Sequence, residues 1–408
     1  MRAPPLRRDG RRRLLGIMAA GLAGFLPART VDAPGRRPDR GVVGGTGGAV
    51  VPSAVADLAA HGGVPGAAAP VLVRAFGLAF DALRRAGGGT LLVPAGVYDF
   101  GPRARPDPVV LVRDARDIAI SAYGALFRAE TSARVMPSLF YFFNYSNVTI
   151  AGASFEDRGF TPWVDWQGMY CVGLQADAAS EQFRMVDCHA DRVLGLLASN
   201  NNPATRRYMA GLSVHGEVRN AYYGVGASFI REGVAVDLVC HNVRRAFIAN
   251  ALRDADIGID VNCTQDWPGS NGLVALVSGG ASMGDVEQVR VRVRASGACI
   301  HASYVHFYHQ GPERHGSMRD IDATVDLFHV DGARNLFSFD HEDGGIRTRT
   351  ARVWDRIELH GAVAGPFGGR VLSNPSRSES PGIVLLDRNL GALAGPFELA
   401  PHFRVRAE

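Results

Sequence analysis

Residues 75–101 read AFGLAFDALRRAGGGTLLVPAGVYDFG, and this stretch decides the fold of the chain. Together with the residues just before it, from 71 to 86, it places apolar side chains at helical spacing: Leu72, Phe76, Ala79, Phe80 and Leu83. The glycines Gly87, Gly88 and Gly89 predict the end of that helix. The apolar run Thr90–Tyr98 then predicts a strand that is interrupted by a Pro-x-Gly turn. The predicted order is therefore amphipathic helix, glycine stop, strand and turn.

The remainder of the chain carries many short apolar or alternating runs separated by Gly, Asn, Asp and Ser. From about residue 194, a short apolar strand, a polar excursion and an alternating strand recur at roughly 20–35 residues. The segments 222–247 and 304–328 are two such units. Units of this length predict a solenoid of about eight to ten coils, in which each coil packs only on its neighbours. A β-sandwich is the structural alternative, although one sandwich rarely needs so many strands.

The stretch 75–101 resembles the opening of the pectate-lyase-superfamily proteins, where a helix caps the coil and a strand with a Pro-x-Gly-x-Tyr element begins it. The segment before it, Ala56–Pro70, is a degenerate form of the Gly- and Asp-rich lead that this family carries. The resemblance implies an all-β fold, a single-stranded right-handed parallel β-helix with an N-terminal capping helix near residues 71–86. It is specific for the fold and does not specify a reaction.

The N-terminus has the composition of an export signal. A basic group, Arg11-Arg12-Arg13, precedes an apolar run from Leu14 to Leu26 that is too short to span a membrane. The arginine pair with two leucines after it resembles a twin-arginine signal, and the general secretory route is the alternative. We therefore predict a signal peptide at 1–33, a flexible lead-in at 34–52 and a β-helix domain at 53–408. The predicted location is the periplasm or the medium, with no stable membrane span.

Composition excludes several classes of function. The net charge of +4 is small for 408 residues, so we expect no nucleic-acid partner. All 44 basic residues are arginine, which excludes a lysine base or Schiff base. The five cysteines are widely spaced, which disfavours a zinc cluster or a dense disulfide framework, and we predict that they are buried as small hydrophobic residues: Cys171, Cys188, Cys240, Cys263 and Cys299. The sequence does not specify an oligomeric state.

Two successive coils carry the candidate catalytic residues. In YVHFYHQ, with Val305 and Phe307 inward, alternation turns Tyr304, His306 and Tyr308 outward. In LFSFDHE, the same alternation places two acidic side chains, those of Asp340 and Glu342, on the outer side of the strand. Because neighbouring coils lie about 4.8 Å apart, these side chains are expected to meet across one rung. The alternative is that they are polar groups satisfied by solvent or by hydrogen bonds.

These residue types suit acid–base chemistry on a sugar. β-Elimination from a uronic acid needs a base at C5, an acid for the leaving oxygen and a cation on the carboxylate. His306 or Tyr308 could serve as base and acid, and Arg314 or a nearby arginine could bind the carboxylate. Hydrolysis would instead use Asp340 with Glu342 or Asp343.

Aromatic residues suggest where a polysaccharide would bind. The loop GFTPWVDWQGMY carries four candidates: Trp163, Asp165, Trp166 and Tyr170. Its aromatic rings suit stacking on sugar faces, and covering the flank of the coil is the alternative. Trp267 in DWPGSNG is a weaker candidate of the same kind, and Asn250 in FIANAL is a polar outward candidate.

No cofactor is evident, and calcium is possible because solenoids assemble such sites from separate turns. Many pectate-type lyases use a lysine or arginine base with calcium, and lysine is absent here. The Asn-Thr-Asp, Asp-Asp and Gly-His-Gly elements of the β-helix polygalacturonases are also absent. The sequence predicts an exported carbohydrate-active enzyme, a lyase on a uronate-containing polysaccharide. A glycoside hydrolase in the same groove and a non-catalytic polysaccharide-binding β-helix are the alternatives.

Overall fold

The computed structural model describes residues 54–405 with gaps, and every structural statement below concerns those residues. The gaps are residues 133, 162–166, 202–208, 229, 265–269, 280–283, 300, 311–315, 333, 342–352, 374–381 and 394–402. The predicted signal peptide and lead-in lie outside the described residues. No helix in the described ranges is both long and apolar enough to cross a membrane.

Helix α1 (Ala69–Arg85) has the apolar face that the sequence predicts, with Leu72, Ala75, Phe76, Ala79, Phe80 and Leu83 buried. The helix ends because Gly87 adopts a left-handed conformation with φ of 79° and the amide of Gly88 donates to the carbonyl of Leu83. The buried face lies across the first coils. The ring of Phe76 is 5.3 Å from that of Phe140 and 6.0 Å from that of Phe127. Helix α1 therefore closes the apolar end of the coil.

The described strands form one sheet of 24 strands. Their bounds are β1 (Ala54–Asp57), β2 (Gly89–Leu92), β3 (Gly96–Arg103), β4 (Val110–Ser121), β5 (Ala125–Thr131), β6 (Ser138–Ala151), β7 (Ser154–Asp157), β8 (Tyr170–Ala176), β9 (Ser180–Asp191), β10 (Gly195–Asn201), β11 (Met209–Arg219), β12 (Tyr223–Ser228), β13 (Val234–His241), β14 (Arg245–Asn250), β15 (Arg253–Cys263), β16 (Ser270–Gly279), β17 (Val286–Ala298), β18 (His301–Gln310), β19 (Met318–Asp331), β20 (Asn335–His341), β21 (Trp354–Ala364), β22 (Arg370–Ser373), β23 (Val384–Leu386) and β24 (Phe403–Val405). A short helix, α2 (Arg388–Leu393), follows β23.

The pairing of these strands establishes the coil. All pairings between the described strands are parallel, and through most of the chain each strand pairs with the strand two places later. This arrangement stacks one coil on the next at about 4.8 Å and gives about ten coils at the repeat length typical of such folds. The predicted all-β, right-handed parallel β-helix with an N-terminal capping helix is confirmed. The β-sandwich alternative is excluded by the parallel ladders.

Two faces of the coil matter below. Face 1 is the ladder β8–β10–β12–β14–β16–β18–β20–β22. Face 2 is the ladder β11–β13–β15–β17–β19–β21–β23. From about residue 194 onward, the longer segments between strands follow face 1 strands, as the sequence predicts, for example between β18 and β19 and between β20 and β21.

Face 2 shows simple alternation between core and solvent. In β17, Val289, Val291 and Val293 face the core, and the residues between them are exposed. Two of these exposed residues, Arg290 and Arg292, pair with Asp256 of the preceding coil, and Arg292 donates to it at 2.8 Å. Such exposed pairs contribute little stability, about 0–1 kcal/mol each.

Face 1 is buried on both sides. Its inward residues belong to the main core. Its outward residues form a second apolar group, which we call the outer cluster: Phe160, Tyr170, Leu194, Ala198, Tyr222, Tyr223, Ile248, Ala275 and Val277, with Met136 and Tyr308 packed against it. Most side chains on the outer side of face 1 are thus largely removed from water, although Asp340 on β20 stays 28% exposed. This burial changes the chemistry available to polar groups there.

The five cysteines are all buried and unpaired. Burial raises the pKa of the Cys188 and Cys263 thiols to about 12. The prediction that the cysteines act as small buried hydrophobic residues is confirmed, because thiols with such raised pKa values are unreactive near neutral pH.

Candidate functional site

Strand β18 carries most of the polar groups on the outer side of face 1. In the parallel register His306 lies between Ala275 and Ser338, and Tyr308 lies between Val277 and Asp340. Three of the five predicted catalytic residues come together: the rings of His306 and Tyr308 are 5.4 Å apart, and Nε2 of His306 is 4.0 Å from Oδ2 of Asp340. The neighbouring coils therefore place an imidazole, a phenol and a carboxylate at one position, as the sequence predicts. Their catalytic role stays a prediction.

The imidazole of His306 is held neutral. Its side chain is 12% exposed. Burial, with a smaller contribution from the positive charge of Arg245, lowers its pKa from 6.5 to about 3. At neutral pH the ring therefore has one nitrogen free to accept a proton.

A second imidazole, that of His301, lies deeper in the same strand. Its Nε2 lies 2.9 Å from the carbonyl oxygen of Val243. Burial is the main reason that its pKa falls to about 4. The sequence did not point to His301, because the predicted strand begins at Tyr304, whereas the observed strand begins at His301.

These two imidazoles predict a steep dependence of stability on pH. A histidine whose pKa is lower in the folded chain takes up its proton first in the unfolded chain, so stability is full above pH 6.5 and falls as the pH is lowered. Between pH 7 and pH 5 we expect each ring to remove about 2 kcal/mol from the free energy of unfolding. Urea unfolding at these two pH values should show a smaller loss in His306→Gln than in the unchanged protein. An equal loss in both proteins would contradict the assignment, and His215→Gln, which removes an exposed histidine, is the control.

The placement predicted for Tyr304 is wrong. Its side chain is 2% exposed and belongs to the main core, beside Val305. The physical reason is a bend at the start of each face 1 strand, where two successive residues face inward. The same pairs occur in other coils: Cys171 and Val172, Leu196 and Leu197, Ala246 and Phe247, Leu273 and Val274, Leu336 and Phe337. Simple alternation fails at this bend, so Tyr304 does not reach the site.

Asn250 lies in the same outward column as Tyr308, two coils earlier, with Val277 between them. It is only 8% exposed. Its amide nitrogen donates to Oγ of Ser228 at 3.4 Å, and its amide oxygen has no hydrogen-bond partner among the described residues. A buried acceptor without a partner is costly, which fits a position where a ligand hydroxyl supplies the missing donor.

Tyr170 does not offer an open face for a sugar. It is buried in the outer cluster, and its ring stacks 6.4 Å from that of Tyr223. Gly195, on β10, lies between Tyr170 on β8 and Tyr223 on β12. A Cβ at Gly195 would come within 2.9 Å of the Tyr170 ring, so the absence of a side chain there allows the two rings to stack. The prediction that Tyr170 is an exposed stacking residue is therefore wrong. Its partners in that prediction, Trp163, Asp165 and Trp166, lie outside the described residues, as do Trp267, Arg314 and Glu342.

A cleft of about 400 Å³ lies on another side of the coil and includes Arg128, Glu156, His189, Glu217 and Arg219. Its carboxylates are already engaged: Arg128 donates to Glu156 at 2.7 Å, and Arg219 donates to Glu217 at 2.6 Å. Burial alone would raise the pKa of Glu217, but Arg219 and the nearby histidines bring it below its ordinary value. A hydrolase needs one carboxyl that stays protonated, and Glu217 does not meet that requirement.

In the described part of the chain, no group of three or more His, Cys, Asp or Glu side chains is arranged to hold a metal ion. Calcium stays a prediction.

No family model matches the chain, and no curated protein matches it. Several solved structures are similar. The A-module of mannuronan C-5 epimerase AlgE6 of Azotobacter vinelandii is 11% identical with a TM-score of 0.41, covering 86% of this chain and 97% of that chain.

The catalytic domain of a GH87 α-1,3-glucanase, in complex with tetrasaccharides, is 10% identical with a TM-score of 0.41, covering 90% of this chain and 70% of that chain. The tailspike protein of E. coli bacteriophage HK620, in complex with a pentasaccharide, is 10% identical with a TM-score of 0.26, covering 84% and 75%. The parallel strand pairing, and not these distant likenesses, makes this chain a right-handed parallel β-helix protein.

Proposed function

We propose that the protein acts on a polysaccharide, and that it is a lyase which cleaves a uronate-containing polymer by β-elimination at His306, Tyr308 and Asp340. One observation carries the proposal: a neutral imidazole is held beside a phenol and a carboxylate on the outer side of face 1. Acid and base groups at one position are what proton abstraction followed by departure of a sugar oxygen requires.

In the proposed reaction, the free nitrogen of His306 removes the proton from C5 of the uronate. The electrons of the C5–H bond form the C4–C5 double bond, and the bond from C4 to the glycosidic oxygen breaks. Tyr308 donates its phenolic proton to that leaving oxygen, and Asp340 stabilises the imidazolium that forms on His306. Solvent then takes the proton from the His306 imidazolium and gives one to the Tyr308 phenolate. The cycle therefore needs no oxidant or reductant.

The low pKa of His306 makes it a weak base, which limits proton removal from carbon. Two effects can offset this weakness. Asp340 raises the basicity of the ring if their 4.0 Å separation shortens when substrate binds. A cation on the substrate carboxylate makes the C5 proton more acidic, and the residue predicted for that task, Arg314, lies outside the described residues.

The test is ultraviolet absorbance during incubation of the purified protein with a panel of uronate polysaccharides, with and without calcium. We expect a rise from the unsaturated uronide that β-elimination produces. His306→Gln should abolish most of this rise. His360→Gln is its matched control, because His360 lies on face 2 against Asp322 and Asp387, and this variant should leave the rise unchanged. New reducing ends without a rise would replace the lyase by a hydrolase that uses Asp340. Binding without either product would replace it by the non-catalytic alternative.

A further inference from the structure

Arg245 is the first residue of β14, which lies two coils before the His306 strand β18 on face 1, with β16 between them. Its strand partner in the previous coil is Tyr223, and the centre of its guanidinium is 6.0 Å from the Tyr223 ring. On the other side its Nε donates to the carbonyl oxygen of Gly272 at 3.3 Å. The guanidinium therefore lies across the outer side of face 1 and extends toward the strand that carries Gly272.

Gly272 is also where His306 approaches. A Cβ on Gly272 would lie 2.4 Å from the Cβ of His306, a distance that real side chains do not tolerate. The absence of a side chain at Gly272 thus allows the imidazole and the guanidinium to converge on one short stretch of backbone. Burial is the main cause of the lowered pKa of both His306 and His301, and the positive charge of Arg245 is a smaller cause of the same shift.

Arg245 differs from Arg292 and Arg319 of face 2 in having no carboxylate partner among the described residues. Among the described residues no carboxylate lies within 4.0 Å of its guanidinium. On face 2, by contrast, Arg292 pairs with Asp256 and Arg319 pairs with Glu287. A partly buried guanidinium with no carboxylate near it among the described residues is unfavourable, so the position favours an anionic ligand.

We propose that Arg245 binds the carboxylate of the uronate whose C5 proton is removed at His306, and that it thereby makes the site selective for acidic sugars. This inference rests on the lyase function proposed above. The nitrogens other than Nε make no hydrogen bond to described residues, which leaves them available for a carboxylate. Neutralising that carboxylate acidifies the C5 proton and so compensates for the weak basicity of the imidazole.

The experiment compares Arg245→Ala, Arg245→Lys and the control Arg292→Ala on a uronate polymer and on the same polymer with its carboxyls reduced to alcohols. We expect Arg245→Ala to raise KM for the uronate polymer about 10- to 100-fold and to lower kcat as well. Arg245→Lys should recover part of the loss, because lysine keeps the positive charge but cannot donate two parallel hydrogen bonds to a carboxylate as a guanidinium does. Arg292→Ala should behave like the unchanged protein, and binding of the reduced polymer should be equal in all four proteins.

A second readout separates a direct role from damage to the fold. Removal of the guanidinium should raise the pKa of His306, which a titration of the ring by NMR measures. Unchanged KM and kcat in Arg245→Ala, with an active unchanged protein, would overturn the inference and leave the lyase proposal standing. If no uronate polymer is cleaved by the unchanged protein, the lyase proposal fails. Calorimetry with a uronate oligosaccharide then tests whether Arg245 binds the carboxylate. Weaker binding by Arg245→Ala than by the unchanged protein supports this inference, and equal binding overturns it.

Discussion

Replacing His306 by glutamine should lower kcat/KM for elimination about 10²- to 10⁴-fold, the range typical for loss of a general base. Glutamine preserves most of the volume and one hydrogen-bonding group but cannot accept a proton at neutral pH. The measurement is the initial rate of the absorbance rise with a uronate polymer. Tyr304→Phe is the informative control, because Tyr304 lies in the core beside Val305 and its hydroxyl does not reach the site.

The dependence of kcat/KM on pH in the unchanged protein is a second test of His306 as the base. Because the pKa of His306 is lowered to about 3, the ring is neutral across the whole neutral and mildly acidic range. Activity should therefore not fall on the acid side at pH 6–7, where an ordinary histidine would become protonated. A loss of kcat/KM with a midpoint near 6.5 would contradict the assignment of His306 as the base, as would full activity in His306→Gln.

Replacing Phe76 by alanine should lower the free energy of unfolding by about 3–5 kcal/mol, the usual cost of deleting a buried aromatic ring. Phe76 is fully buried and contacts the rings of Phe100, Phe127 and Phe140, so the change opens a cavity between helix α1 and the first coils. Urea unfolding followed by circular dichroism is the measurement.

Leu78→Ala is the matched control for Phe76→Ala. Leu78 lies on the opposite side of the same helix and is 41% exposed, so its truncation should cost about 0.5 kcal/mol or less. Similar losses in the two variants would show that helix α1 does not act as a cap. A separate early transition in Phe76→Ala would show that the cap unfolds before the rest of the coil.

The parts of the fold set by local patterns were predictable from the sequence. Helix α1 is predicted at 71–86 and observed at Ala69–Arg85, because helical spacing and a glycine stop are both local signals. The pairing of Tyr308 with Asp340 across one rung was predictable for a similar reason, since consecutive coils of similar length keep their strands in register.

The parts that depend on the bend of the coil or on packing of distant residues were not predictable. Tyr304 lies inward because the chain turns a corner at the start of each face 1 strand, and alternation carries no information about that corner. Tyr170 is buried in the outer cluster, where the ring of Tyr223 stacks on it from two coils later. Arg245 escaped notice because only the strand register brings it beside Gly272 and His306.

The burial of face 1 on both sides has a consequence for how this protein can evolve. A residue such as Ile248 packs in the outer cluster while its neighbour Phe247 packs in the core, so a substitution along this strand disturbs one packed layer or the other. The outer side of face 2, with solvent around Arg290 and Arg292, has no such restriction. Among descendants of a common ancestor, face 1 should therefore change slowly even at positions that do no chemistry. Slow change along a face 1 strand would then report packing, and only a polar residue retained there would point to function.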